Sequence, residues 1–295
     1  MTATYLHPES IVTTDWLSNH LRDVELRIFD CTTYLDPPQA GVAAPYTVRS
    51  GLADHQAAHI PGAGFLDLQA ELSDNSSPAH LRFTMPSAAA LAHALEQRGI
   101  GNDSRVILYS RKNMQWATRV WWMLRAIGVD NAAVLDGGFD KWKREGRLTD
   151  QSEVAHAPGT ISVQPRPELF ADANAVEAAR SDAKTCTINA LSGDLHSGAT
   201  SRYGRAGRIP GSVNLPALDL QNATDRSFAK PEQAAALFAS IGAQAQGPNI
   251  VYCGGGIAAT LDAFLMFQLG YQNVSVYDAS MSEWAKDSSR PIEVD

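Results

Sequence analysis

Short apolar runs bounded by polar residues or glycine alternate along this chain with longer segments of helical period. In the first half the runs are Leu26-Arg27-Ile28-Phe29-Asp30, Val106-Ile107-Leu108-Tyr109-Ser110 and Ala133-Val134-Leu135. In the second they are Thr185-Cys186-Thr187-Ile188-Asn189, Asn249-Ile250-Val251-Tyr252-Cys253 and Ser275-Val276-Tyr277. Near-continuous apolar runs of this length predict strands buried on both faces. Helices are predicted over Ser87 to Gln97, with Ser87 as N-cap, over Pro231 to Ser240, with proline in the first turn, and over Leu261 to Leu269. Alternating strands and helices place the chain in the α/β class, with mainly parallel sheets flanked by helices on both faces.

The same pattern is used twice. His59-Ile60-Pro61-Gly62 recurs as Arg208-Ile209-Pro210-Gly211, and the strand ending Tyr109-Ser110 recurs as the one ending Tyr252-Cys253. Leu135-Asp136-Gly137-Gly138 then matches Tyr277-Asp278-Ala279-Ser280, and Trp142 matches Trp284. Each unit is expected to open with its first strand, Leu26 to Asp30 or Thr185 to Asn189. Between the repeats, residues 151–168 hold Pro158, Gly159, Pro165 and Pro167 with little helical period, and read as a linker. Two tandem units follow, 1–150 and 169–295.

Composition narrows the function classes. A formal net charge of −8 argues against nucleic acid or an anionic membrane as partner, since both reward an excess of Lys and Arg. No apolar stretch is long enough to span a bilayer, and Met1 to Pro8 lacks a basic segment followed by an apolar one, so a cytoplasmic protein is expected. Three widely spaced cysteines, Cys31, Cys186 and Cys253, suit neither a disulfide framework nor a metal site. Cys31 and Cys186 lie within or beside strands and read as small hydrophobes.

Cys253 differs in position. It sits at a strand's carboxyl end and leads into Gly254, Gly255, Gly256, Ile257, Ala258, Ala259 and Thr260, ahead of a helix. Glycines allow successive amides to form an anion-binding nest, and a helix N-terminus adds partial positive charge, so the loop suits an anionic sulfur. Three reactive readings compete. A phosphatase-type loop needs an arginine where Ala259 stands. A dinucleotide-binding oxidoreductase is suggested by the local glycine pattern and by Asp278 downstream, but too little chain follows Asp278 for the rest of such a domain. The third reading is a cysteine that carries sulfur.

On that third reading the chain resembles the tandem-domain rhodanese family, the thiosulfate and 3-mercaptopyruvate sulfurtransferases. The likeness rests on Ile60-Pro61-Gly62, Ile209-Pro210-Gly211, the Tyr252-Cys253 loop, Trp121-Trp122, Leu135-Asp136-Gly137-Gly138 and Trp284, and covers essentially the whole chain. It implies two rhodanese-like domains, the second catalytic and the first inactive, with Ser110 in place of the cysteine. It also implies that Cys253 takes sulfur from thiosulfate or 3-mercaptopyruvate, forms a persulfide and passes the sulfur to cyanide or a thiol, a thioredoxin-like reductant among them. No cofactor is expected. A non-enzymatic persulfide or anion-binding module is the alternative.

The resemblance also marks departures. Gly254, at the second loop position, leans toward the 3-mercaptopyruvate type, where the thiosulfate type has arginine. Glycine stands where mercaptopyruvate enzymes carry a serine, at Gly255 or Gly256, and Ala258 replaces their threonine. Family members often carry Asp-x-Arg in the second unit's opening strand; here it is Asn189-Ala190-Leu191. Arg202, Arg205 and Arg208, just before the second Ile-Pro-Gly turn, are the candidate substitutes for donor binding, and His59 is a candidate for proton transfer. The 111–116 stretch, Arg111-Lys112-Asn113-Met114-Gln115-Trp116, is a candidate wall of the cleft between domains. Trp121 and Trp122 read as core.

Overall fold

A computed structural model describes residues 3–39, 41, 44–76 and 81–295. Met1 and Thr2, part of the N-terminal stretch read for an export signal, lie outside the described residues. The first half contributes β1 (Ile11–Val12), β2 (Leu26–Asp30), β3 (Thr33–Asp36), β4 (Thr47–Ser50), β5 (Ala63–Phe65), β6 (Arg105–Tyr109) and β7 (Ala132–Leu135). The second contributes β8 (Phe170–Ala171), β9 (Cys186–Asn189), β10 (Val213–Asn214), β11 (Pro248–Tyr252) and β12 (Asn273–Tyr277). One sheet runs β1-β7-β6-β2-β5 and the other β8-β12-β11-β9-β10, strand for strand the same topology. Every pairing within these two sheets is parallel, whereas β3 and β4 form a separate antiparallel ribbon.

The repeat is visible in hydrogen bonds as well as in topology. Both Ile-Pro-Gly segments make the turn their residues favour: proline precedes a glycine with φ near +80°, at Gly62 (80°) and Gly211 (78°). Ala63 N bonds Ile60 O at 2.9 Å and Ser212 N bonds Ile209 O at 3.1 Å. Each turn is pinned to the central strand of its sheet. Tyr109 Oη accepts from Ile60 N at 3.4 Å, and Tyr252 Oη accepts from Ile209 N at 3.2 Å. The matched tryptophans are likewise locked, Trp142 Nε1 donating to Leu148 O at 2.7 Å and Trp284 Nε1 to Pro291 O at 2.8 Å.

The units differ from expectation at their starts. A two-residue strand, β1 or β8, precedes the predicted opening strand and pairs at the opposite edge of each sheet. Such brief strands carry too few residues to show a period. The helix predicted from Leu261 begins earlier, at Ala259–Gln268, while Ala88–Gln97 and Pro231–Ser240 lie where the sequence placed them. Ser87 caps its helix by accepting from Ala90 N at 3.2 Å. Residues 151–166 form neither helix nor strand and follow the first unit, with Gln164 N on Ile127 O and Arg166 N on Ala126 O, both at 2.8 Å.

The two units meet along the Gln115–Ala126 and Ala259–Gln268 helices, where buried Thr118 Oγ1 and Thr260 Oγ1 lie 3.0 Å apart and Trp121 meets Phe264 edge-on at 4.7 Å. Trp121 and Trp122 are buried, and their indole nitrogens bond Ala132 O and Leu169 O. Burying each large apolar side chain contributes about 1.5–3 kcal/mol, so a core shared across the interface joins the units firmly. The contact is also reciprocal. Asp136 Oδ1 accepts from Phe228 N in the other unit at 2.7 Å, and its counterpart Asp278 Oδ2 accepts from Met85 N at 2.7 Å.

Candidate active site

Cys253 follows β11, the middle strand of the second sheet, and is 2% exposed. Its loop is gathered around one hydroxyl. Ser280 Oγ accepts from Cys253 N at 3.0 Å and from Gly256 N at 3.2 Å, and donates to Tyr277 O at 2.7 Å. To do so Ser280 adopts φ of 51°, a left-handed conformation costing a non-glycine residue roughly 1–3 kcal/mol. The matching position of the first unit is Gly138, with φ of 58°. Ser282 secures the next residue, its N–H and Oγ–H both donating to Gly254 O at 2.8 and 2.6 Å.

The first unit also reaches the loop. Arg119, fully buried on the Gln115–Ala126 helix, donates to Gly256 O at 3.2 Å and to Phe83 O at 2.7 Å, and pairs with Asp278 Oδ1 at 2.7 Å. Gly256 has φ of 70°, and a Cβ there would lie 2.5 Å from Asp278 O. Among the described residues the amides of Gly254, Gly255, Ile257 and Ala258 donate to no protein group. The expected convergence of loop amides on the sulfur thus narrows to these four and that of Ala259, because Ser280 uses those of Cys253 and Gly256 and Ile257 O that of Thr260.

Cys253 opens onto a cavity of about 290 Å³ at the interface of the units. The second unit lines it with Gly254, Gly255, Ile257, Ala258, Leu191, Leu195, Arg202, Tyr203 and Leu218, and the first with Leu35, Tyr46, Phe83, Asn113 and Gln115. Tyr203 lies against Gly254, in the space a side chain there would need. A row of aromatic rings runs from Tyr203 to Tyr46 (6.5 Å), Phe83 (6.4 Å) and Trp116 (5.4 Å). Burial, then the neighbouring Cys253, pushes the Tyr46 hydroxyl up to about 12 and Tyr203 higher still, so both are neutral hydroxyls at ordinary pH. No group of His, Cys, Asp and Glu with the makings of a metal site occurs among the described residues.

The predicted cations separate. Arg202 is exposed, lines the cavity and lies near enough to Tyr203 to lower the cost of its ionisation. Arg205, a candidate for donor binding, is bonded elsewhere: its guanidinium donates to the carbonyls of Ala285 (3.0 Å), Trp284 (3.1 Å), Arg290 (2.8 Å) and Asp287 (2.5 Å). It ties the end of the Ser280–Trp284 helix to the C-terminal segment. Arg208 is likewise taken, paired with Glu293 and Asp295 and away from the cavity wall. Of the five N–H donors a guanidinium carries, Arg205 thus engages four within the protein and Arg208 three, His196 O being the third acceptor of Arg208. A cation not anticipated, Arg82, lies near enough to Tyr46 to lower the cost of its ionisation.

His59 is corrected as well. It is buried in the first unit, with Nδ1 on His55 O at 2.9 Å and its ring stacked on His55 at 4.2 Å, and it does not line the cavity. Its ring packs beside the first Ile-Pro-Gly turn. In the 111–116 stretch, Asn113 and Gln115 wall the cavity as expected. Arg111 instead turns into its own unit, beside Asp30 (3.5 Å), over the Phe139 ring (3.8 Å), and bonded to Asp54 O and Ala58 O. Cys31 is fully buried, and burial pushes its thiol up, as a packed hydrophobe requires.

Ser280, Arg119, Tyr203, Tyr46 and Phe83 escaped the sequence reading. Ser280 carried a signal: a serine aligned with a left-handed glycine of the other repeat. Tyr203 lay inside the arginine-rich segment, where charge drew attention to its neighbours. Arg119, Tyr46 and Phe83 belong to the other unit, and no local pattern links them to Cys253.

The fold and this geometry agree with comparisons to known proteins. A family model for the Rhodanese-like domain matches residues 13–145 and 197–287. The 3-mercaptopyruvate sulfurtransferase of Escherichia coli is 31% identical, the match covering 95% of this chain and 96% of that protein. Thiosulfate/3-mercaptopyruvate sulfurtransferase 2 of Arabidopsis thaliana is 29% identical over 96% of this chain and 86% of that one. The crystal structure of SseA from Escherichia coli, described as a 3-mercaptopyruvate sulfotransferase, superposes with a TM-score of 0.77 at 29% identity, covering 92% of this chain and 98% of that one. Two parallel sheets of one topology, a cysteine loop retained in the second unit alone and full-length similarity lead to one assignment: the chain belongs to the rhodanese family, as a tandem-domain sulfurtransferase.

Proposed function

We propose that Cys253 carries the sulfur and that the donor is a small organic carboxylate of the 3-mercaptopyruvate kind in preference to thiosulfate. The Cys253 thiolate attacks the donor's sulfur, the carbon–sulfur bond breaks, and its electron pair leaves with pyruvate as the enolate, which takes a proton. A persulfide remains on Cys253. The five loop amides without protein partners supply the field for negative charge on the sulfur before and after transfer. The observation that carries the donor preference is the single guanidinium in the cavity wall, Arg202, together with Tyr203 standing where a longer residue at position 254 would reach. One guanidinium matches one carboxylate. A reducing compartment such as the cytoplasm and a thiol acceptor, thioredoxin-like reductants included, fit the same reading.

The test is steady-state transfer to cyanide with each donor, alongside mass measurement of the Cys253 peptide. The expected results are a gain of one sulfur atom on Cys253, higher kcat/KM with 3-mercaptopyruvate, and loss of turnover without unfolding in Cys253→Ser. Arg202→Ala should raise the donor KM about tenfold or more, the worth of a charged hydrogen bond. Arg205→Ala should lower stability and leave KM in place. Rapid alkylation of Cys253 with no sulfur loaded from either donor would favour the non-enzymatic module instead.

A further inference from the structure

We infer that the second unit holds a binding site for an aromatic α-amino acid at the amino ends of β11 and β12, the end of the sheet opposite Cys253. The two copies of the repeat differ there. In the first unit the Thr14–His20 helix sets Trp16 beside Arg105, the first residue of β6, with Arg105 Cζ 5.9 Å from the indole centroid. Trp16 also stacks on His20 at 4.0 Å, and Arg105 is tied to Glu9 O and to Asn131 Oδ1 at 3.1 Å. The hollow beside them measures about 360 Å³. The equivalent helix of the second unit, Ala173–Ala179, has the same seven residues and is capped alike, Thr13 accepting from Trp16 N and Asp172 from Ala175 N. Ala175 and Ala179 therefore stand where the first unit has Trp16 and His20. Matching Tyr109 with Tyr252 likewise puts Pro248 in the place of Arg105. Small groups thus replace three large planar ones, and a cavity of about 490 Å³ is left, within the range of clefts that hold small organic ligands. Along β11 it lies about 17 Å from Cys253, five residues of strand away.

The charges in the cavity wall define its occupant. Arg125, near the end of the helix that carries Arg119, makes one side-chain hydrogen bond, to Asp130 at 3.4 Å, and its Nε is buried without a partner among the described residues. Burial pulls its guanidinium below the usual range, and the Asp130 charge offsets only part of this. The neighbouring Arg166 is taken, its two Nη groups bonded to Asp130 at 2.5 and 2.6 Å. Of the two carboxylates in the wall, Asp182 accepts from Lys184 N and Thr185 Oγ1, whereas exposed Glu168 hydrogen-bonds no described residue. One guanidinium and one carboxylate are left under-bonded, which suits a carboxylate and an ammonium on the same small ligand. Ala175, Ala179, Pro248 and Val274 add apolar surface for a ring where the first unit has its own.

The experiment is titration calorimetry on the full chain with L-tryptophan, L-phenylalanine, glycine, 3-phenylpropanoate and 2-phenylethylamine. Each aromatic amino acid should bind once per chain. Glycine should bind about 30-fold more weakly than L-phenylalanine, the worth of one buried aromatic side chain. 2-Phenylethylamine, which lacks the carboxylate, should bind about tenfold more weakly. 3-Phenylpropanoate, which lacks the ammonium, should lose only about threefold, because Glu168 is exposed. Arg125→Gln should erase the first of these two differences and Glu168→Gln the second. Ala175→Trp restores the first unit's indole on an exposed helix position, so it should abolish binding while the melting temperature of the free chain holds. No binding of either aromatic amino acid, equal affinity for glycine and L-phenylalanine, or binding that survives Ala175→Trp overturns the inference.

Discussion

Tyr203 and Gly254 share one space: a Cβ built on Gly254 would fall under 3.0 Å from the Tyr203 hydroxyl, closer than real Cβ atoms come. The ring cannot easily yield, because it is buried and set edge-on to Tyr46. Glycine at the second loop position is therefore a packing requirement of this chain.

Gly254→Ala should destabilise the protein by about 1–3 kcal/mol, the usual cost of overpacking, and slow turnover by displacing the loop. Tyr203→Ala in the same chain should recover much of that loss. Thermal melts of the two single variants and the double variant give the coupling energy. Additive effects would mean that the two side chains do not compete for the space.

Ser280 holds two loop amides from a left-handed backbone, which separates its hydrogen bonds from its strain. Ser280→Ala and Ser280→Gly both remove the hydroxyl and should lower kcat on the order of 10- to 100-fold with little change in donor KM. Glycine accepts φ of 51° without strain, so Ser280→Gly should be more stable than Ser280→Ala by about 1 kcal/mol. Kinetics and melts on the same two proteins check both halves.

The Arg119–Asp278 pair lies across the interface, with Arg119 fully buried and bonded to the loop at Gly256 O. Arg119→Ala should cost about 3–5 kcal/mol, because it strands a carboxylate and frees two carbonyls. Asp278→Asn should cost less, since an amide oxygen still accepts from Met85 N. Denaturant unfolding of both variants orders them.

Asp262 is fully buried on the Ala259–Gln268 helix, and among the described residues neither side-chain oxygen has a hydrogen-bond partner. Burial raises its carboxyl well above the ordinary range, with Asp219 adding to the effect. A raised carboxyl binds its proton more tightly in the folded chain. Its contribution is therefore fully present below the unfolded value of about 4 and is lost as pH rises toward the folded one. Asp262→Asn should match the parent near pH 4 and exceed it in melting temperature by a margin that grows toward pH 8. A margin independent of pH would show that Asp262 does not titrate in this way.

The chain's own pattern was enough for the α/β class, the duplicated unit, the two Ile-Pro-Gly turns and the loop at Cys253. Those features depend on period, glycine and proline geometry, and residues close in sequence, which a linear reading captures. It also placed Asn113 and Gln115 in the cleft and read Trp121 and Trp122 as core. It could not rank Arg202, Arg205 and Arg208. Three guanidiniums in one segment look alike until the fold presents four carbonyls to Arg205, two carboxylates to Arg208 and the cavity to Arg202. His59 was a candidate through the family resemblance, yet the fold buries it in the other unit. Ser280 beneath the loop, Arg119 reaching across to it, and Tyr46 and Phe83 over Cys253 come from segments far apart in the chain. The pairing of β11 with β12 sets Ser280 under the loop, and the packing of the two units brings the other three to it, so tertiary structure alone decided what surrounds the sulfur.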